Sequence, residues 1–362
     1  MITYLQKLIS HSPSNLLSYA DFIEAALYHP EFGYYMKEKQ KIGRQGDFIT
    51  TSNISDVYGR LMAKWFSFVC KKNNLPPVFC ELGAGNGRFA QAFLHYWIET
   101  IKTPIQYRII ETSPYHRKLQ RELLESCPAV CQLESLTDLN GFEGMIFSNE
   151  LFDALPVHVI EKENGELFEV MIGLKNEQLV EQKVPLINQE ILTFLQENQL
   201  DLNENQRIEI PLAMGKVLHQ ISTVLTRGFV VTADYGYSRE EWLDPGRARG
   251  SLRGFYQHKL VDNVLLHPGE MDITAHIHMD HLIQKGEHLN LQFVMKLGQD
   301  EFLLKAGILK ELEDHYDANP FSDVSRRNRA IRSLLMPGGI SSYFQIVIQQ
   351  KGLEHISNKL FG

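Results

Sequence analysis

The chain has 362 residues, 44% of them hydrophobic and 22% charged, with a formal net charge of −8. That length supplies a core for one large or two modest domains, and the acidic balance argues against nonspecific nucleic-acid binding, which draws on clustered Lys and Arg. No apolar run approaches the roughly 18 residues of a membrane span, and Met1–Lys7 has neither signal nor transit character, so a cytoplasmic protein is expected.

Up to about residue 75 the chain reads as helical. Ser18-Tyr19-Ala20-Asp21 opens a helix in the manner of a capping box, and Val57, Leu61, Trp65 and Val69 fall at helical spacing. Pro30–Tyr35 and Gly46–Ser52 lie between them in a long loop, of the kind that is often functional in compact domains, and are expected to form a lid.

Val78–Leu82 is a short apolar run that breaks into Gly83-Ala84-Gly85-Asn86-Gly87 and resumes with Phe89, Phe93, Leu94 and Trp97 at helical spacing. The pattern predicts a strand, a tight turn and a helix. Glycines there permit positive φ and close approach of a ligand to bare backbone, while the helix start presents free N–H groups. A nucleotide-like ligand is the natural occupant. The spacing G-x-G-x-G, with Arg88 where a dinucleotide motif wants its third glycine, fits pyrophosphate poorly. Glu81 would repel phosphates and welcome a cation, and Glu111, after the second strand Tyr107–Ile110, is placed to accept hydrogen bonds from ribose hydroxyls. S-adenosylmethionine, with an ammonium, a sulfonium and no phosphate, meets all three conditions. Gly83, Gly85, Gly87, Glu81 and Glu111 are therefore its expected binding residues.

A helix opened by Ser113-Pro114 follows, then strands near 130–133 and 145–148. This alternation implies an α/β fold with a parallel, doubly wound sheet whose ligand lies at the carboxyl ends of the strands, where Glu81, Glu111 and Asn149 sit. From Val157 the pattern changes to an antiparallel hairpin around Asn164-Gly165, and 157–211 reads as an insertion closed by a helix near 190–195 and a strand at 207–210. A helix from Leu212 to Thr226, stopped by Gly228, leads to a strand at 229–234. Strands near 291–295 and 343–348 bring the expected core to seven.

The expected organisation is a helical extension and lid at 1–75, a Rossmann-like core at 76–156 and 212–362, and a mixed insertion at 157–211 that meets substrate or partner. Cys70, Cys80, Cys127 and Cys131 form no C-x-x-C pair and read as reduced packing residues. His267, His276, His278, His281 and His288 with Asp272 lack a zinc motif, and hydrogen-bonded or surface histidines explain them without a metal.

With these residues in view the chain resembles the MidA family of S-adenosylmethionine-dependent methyltransferases, whose members include a mitochondrial complex I assembly factor that methylates protein arginine. The resemblance covers nearly the whole chain. It rests on Gly46–Thr50, Glu81–Arg88, Asn149–His158, Asp234–Tyr237 and Asp272–His276. It departs from the family at Ser52-Asn53, where Pro-Glu is usual, and at Met336–Ile340, where Met-Gly-Glu is usual. It implies a seven-stranded class I methyltransferase sheet and a protein substrate; no membrane span is expected from the hydropathy, and a homodimer is among the assemblies to be tested. Thr50 joins the cofactor-binding set on the basis of the resemblance.

Methyl transfer to an arginine brings a cationic acceptor to a cationic cofactor, so carboxylates must offset the repulsion and orient the guanidinium. Glu150 and Asp153 are the leading candidates, with Asp47 third and Asn149 as a cofactor- or nucleophile-orienting residue. The structural alternative has Glu150 and Asp153 merely opening or capping a helix. A different acceptor, either a small molecule or another protein nitrogen, is the second enzymatic class. A non-catalytic assembly factor with the same fold is the third.

Overall fold

The computed structural model describes residues 1–39, 41, 56–312, 319, 322–336, 343–354 and 360–361. The chain divides into two compact units, each assembled from three segments: Met1–Phe48, Phe152–Leu218 and Gly236–Lys285 in one, Ile49–Leu151, His219–Tyr235 and Gly286–Gly362 in the other.

The second of these units is built on strands β1 (Val78–Leu82), β2 (Gln106–Ile110), β3 (Val130–Leu133), β4 (Phe142–Asn149), β5 (Leu225–Tyr237), β6 (Gln292–Gly298) and β7 (Phe344–Lys351). Their order is β3-β2-β1-β4-β5-β7-β6. The first five run parallel, whereas β7 is antiparallel to both β5 and β6, so the sheet is mixed rather than wholly parallel.

Alternation along β1, β2 and β4 sets Phe79, Tyr107, Met145 and Phe147 on one buried face. Helices Val57–Asn73 and Arg88–Tyr96 cover that face, packing Phe66, Phe89 and Phe93 against Phe79. Ser113 caps helix Pro114–Leu123 as expected: its Oγ accepts from the His116 N–H, with Pro114 in the first turn.

Gly228 does not stop a helix. The helix ends at Val224, and Gly228 lies inside β5 in register with Gly144 of β4. A Cβ on Gly228 would come within 1.8 Å of the Gly144 carbonyl oxygen, so this glycine serves close strand approach.

The other unit contains helices Ile2–His11 and Tyr19–Tyr28, the latter capped by Ser18, whose Oγ accepts from the Asp21 N–H. Its antiparallel sheet pairs His158–Glu163 with Glu166–Lys175 across the expected Asn164-Gly165 turn, both residues having positive φ. Gln178–Pro185, Leu17–Ser18 and Arg207–Ile210 complete it. A three-stranded sheet joins Arg253–Tyr256, Lys259–Val261 and Asp272–Thr274. Ile277–His278 lies parallel to Gly236–Tyr237 and adds an eighth strand where seven were expected.

Candidate cofactor and catalytic site

The turn after β1 is shaped by three left-handed glycines, Gly83 (φ 69°), Gly85 (φ 53°) and Gly87 (φ 80°). Non-glycine residues rarely adopt such values, so the alternate spacing is a backbone requirement. A Cβ on Gly83 would lie 2.9 Å from Leu151 Cδ1, and one on Gly87 would lie 3.1 Å from Gln120 Cγ.

Glu111 holds this turn from the end of β2. Its Oε2 accepts the Gly85 N–H at 2.9 Å, and its Oε1 accepts the Ser113 N–H at the same distance. Gln120 Nε2 donates to the Gly85 carbonyl at 2.7 Å, so the peptide groups before and after Gly85 are both fixed. Ribose recognition was the expected task of Glu111; the geometry adds a bracing one. The two backbone bonds occupy two of the roughly four lone-pair sites of a carboxylate.

Glu81 is buried on the sheet face that carries Phe79 and Tyr107. Burial pushes its carboxyl up to about 8, with the hydrogen bond from the Tyr107 hydroxyl acting in the opposite sense and the charge of Glu111 raising it further. No Lys, Arg or His among the described residues forms an ion pair with it. A ligand cation would supply the missing countercharge.

Asn149 ends β4. Its Nδ2 donates to Glu150 Oε1 at 2.9 Å, and its buried Oδ1 has no hydrogen-bond partner among the described residues. Glu150 takes a left-handed φ of 52° and donates its N–H to the Ala233 carbonyl. Such a conformation in a non-glycine residue is uncommon and clusters at functional sites. Residues 150–156 form bends and turns, so the alternative in which Glu150 and Asp153 open or cap a helix is excluded.

Tyr58, in the first turn of helix Val57–Asn73, is a residue that sequence reasoning missed. It is fully buried, its hydroxyl has no hydrogen-bond partner among the described residues, and its ring packs against Phe89 and Phe147. Desolvation, then the charges of Glu150 and Glu81, raise its pKa, so the phenol is neutral. In sequence it is one more aromatic in an apolar helix; only its position beside two carboxylates distinguishes it.

Glu81, Gly83, Gly85, Gly87, Glu111, Asn149 and Glu150 thus fall in one unit, at or just beyond the carboxyl ends of β1, β2 and β4. Asp153 belongs to the other unit, where it is buried, accepts the Ala275 N–H on its backbone oxygen and bears electrostatically on Tyr35. The Tyr35 hydroxyl donates to Asp272 Oδ1 at 2.6 Å. Thr50, and with it Asp47 and the Gly46–Ser52 part of the expected lid, lie outside the described residues, whereas Pro30–Tyr35 is described in the same unit as Asp153, with Tyr34 buried and its N–H donating to the Ala26 carbonyl.

The histidines engage their own neighbours. His278 stacks on Trp242 and hydrogen-bonds the Glu209 carbonyl, and burial lowers its pKa to about 3. His276 contacts Arg253 and is lowered to about 3 by burial and then by the nearby Arg253 and Arg247 charges. His281 pairs with Asn198.

A glycine turn that bares its backbone, a buried carboxylate awaiting a cation, and two orphaned polar atoms fit a cofactor that carries an ammonium and hydroxyls. A family model described as "Putative S-adenosyl-L-methionine-dependent methyltransferase" matches residues 60–295. The mitochondrial protein arginine methyltransferase NDUFAF7 of Mus musculus is 27% identical over 299 residues, which cover 74% of this chain. The chain spans 65% of that relative's length. The Danio rerio counterpart is 24% identical over 371 residues, 94% of this chain and 84% of that protein. The crystal structure of a COG1565 superfamily protein from Burkholderia thailandensis, bound to S-adenosyl-homocysteine, is similar with a TM-score of 0.89 and 25% identity over 98% of this chain and 92% of that one.

Proposed function

Because the chain belongs to the S-adenosyl-L-methionine-dependent methyltransferase family Methyltransf_28, we propose that it methylates an arginine side chain of a protein partner. The observation that carries the cofactor half is the buried Glu81, which pairs with no cation among the described residues, beside a glycine turn that bares its backbone. The arginine half is supported by the names of the NDUFAF7 relatives and by the carboxylates available to receive a guanidinium.

When bound, S-adenosylmethionine supplies a methyl group on sulfur; the N–CH3 bond forms in line as the S–CH3 bond breaks, leaving a neutral thioether. The protein positions and neutralises. In this proposal Glu81 balances the cofactor's ammonium, Gly83, Gly85 and Gly87 admit it against the backbone, Glu111 accepts from ribose, and Thr50 and Asn149 complete its contacts. Glu150 offsets the guanidinium charge, and bidentate hydrogen bonds orient the attacking nitrogen. A guanidinium is protonated at ordinary pH, so one proton must leave as the nitrogen is methylated. Glu150, whose carboxylate is held by Asn149 Nδ2, is the proposed acceptor of that proton.

The strand order, with an antiparallel β7 between β5 and β6, supports a seven-stranded class I core, whose proposed bounds are 76–156 and 212–362. Residues 1–75 would then form an extension and lid, and 157–211 a surface for substrate or partner. The proposed location is the cytoplasm; no helix among the described residues is long and apolar enough to cross a membrane.

The test is to incubate the purified protein with methyl-labelled S-adenosylmethionine and cell extract, then hydrolyse the protein fraction. Label in methylarginine is expected. Label confined to small molecules or to another amino acid would overturn the arginine assignment.

A further inference from the structure

Three acceptors lie on one face of the sheet near the end of β1. Glu81 stands in register with Phe147 of β4, and Asn149 follows two residues later on the same face. The Tyr58 ring packs on that same Phe147, with centroids 6.5 Å apart. Its hydroxyl and Asn149 Oδ1 are both shielded from solvent without a hydrogen-bond partner among the described residues. Buried tyrosine hydroxyls and amide oxygens are ordinarily paired, so a ligand with N–H donors would satisfy both atoms.

The sign of that ligand follows from its surroundings. Glu81 and Glu150 both act electrostatically on the Tyr58 hydroxyl. An anion brought there would meet two carboxylates, whereas an ammonium would find three oxygen acceptors for its three N–H donors.

We propose that Tyr58 and Asn149 complete, with Glu81, the receptor for the methionyl ammonium of S-adenosylmethionine. Tyr58 Oη accepts one N–H, Asn149 Oδ1 a second and the Glu81 carboxylate the third. The Tyr58 proton stays on the phenol. The assignment rests on S-adenosylmethionine being the cofactor and adds a binding residue from outside the glycine turn.

Calorimetric titration with two thioethers separates this role from a structural one. S-adenosyl-homocysteine carries the ammonium and 5′-methylthioadenosine does not. Tyr58→Phe should weaken the first about tenfold, as for loss of a hydrogen bond to a charged group, and leave the second within about twofold. Equal weakening of both would overturn the assignment and make Tyr58 a packing residue, and undiminished binding of S-adenosyl-homocysteine would overturn it as well. Should Tyr58→Phe fail to fold, Asn149→Ala carries the same test with the same expected selectivity. Failure of the unaltered protein to bind either nucleoside would instead remove the cofactor assignment, and the ammonium receptor with it.

Discussion

The Tyr107 hydroxyl donates to Glu81 Oε2 at 2.6 Å, and both side chains are buried in the same sheet face. This neutral donor stabilises the carboxylate without cancelling its charge. Burial remains the larger effect and holds the carboxyl at about 8.

Cofactor affinity should therefore depend on pH through Glu81. Below about 8 the carboxyl is protonated in the ligand-free protein and must release its proton to solvent before it can pair with an arriving ammonium, so affinity falls as pH falls, approaching tenfold per unit. The ligand-free protein behaves in the opposite sense. Its folded state holds the Glu81 proton more tightly than the unfolded chain does, so this group's contribution to stability declines as pH rises from about 4.5 to about 8. Titrations with S-adenosyl-homocysteine at pH 6, 7 and 8 check the first effect. A slope that persists in Glu81→Gln would assign it to another group.

Strand closeness at Gly144 should tolerate no side chain. Its φ is 144°, and a Cβ there would lie 2.1 Å from the Val78 carbonyl oxygen. Gly144→Ala is expected to cost at least about 3 kcal/mol, as for severe overpacking. Gly141→Ala, at φ 73° with nothing within 4 Å, should cost about 1 kcal/mol for backbone strain alone. Denaturant midpoints of the two variants would measure the contrast, and equal losses would contradict it.

Glu111→Gln replaces one of two backbone acceptors with an NH2 group that faces an N–H donor. The turn should loosen, with a loss of about 1–3 kcal/mol in stability and weaker binding of both S-adenosyl-homocysteine and methylthioadenosine. Unchanged midpoints would show that the glycine turn holds itself.

The histidine-rich segment should be indifferent to chelators. Ring nitrogens of His276, His278 and His281 are engaged by Arg253, the Glu209 carbonyl and Asn198. Methyl transfer after EDTA treatment and gel filtration is expected to equal that of untreated protein. A loss restored by one added metal would place an ion in the reaction.

Much of the site was legible because its signals are local. Three alternating glycines after an apolar run announce a strand, turn and helix; Ser113-Pro114 announces a cap; Asn164-Gly165 announces a two-residue hairpin turn. Glu81 and Glu111 could be read from their distance to that turn. What escaped was tertiary. Tyr58 sits in an apolar helical stripe and differs from its neighbours only through what packs around it. Gly228 carried the local signal of a helix stop, but its role is set by a strand whose backbone approaches from residue 144. Glu150 was read against a helix start because acidic residues favour that position; its left-handed backbone and hydrogen bond to Ala233 depend on β5, far along the chain.

The most direct measurement compares unaltered protein with Glu150→Gln, following label from S-adenosylmethionine into protein methylarginine while measuring S-adenosyl-homocysteine affinity separately. The glutamine keeps the size of the side chain and an oxygen for Asn149 Nδ2 but can neither take the proton nor offset the guanidinium charge. The expected result is cofactor affinity within about twofold and methylarginine formation reduced at least about a hundredfold, a size at the lower end of general-base effects. Methylarginine formation undiminished at equal cofactor affinity would contradict the assignment of Glu150 to the reacting arginine.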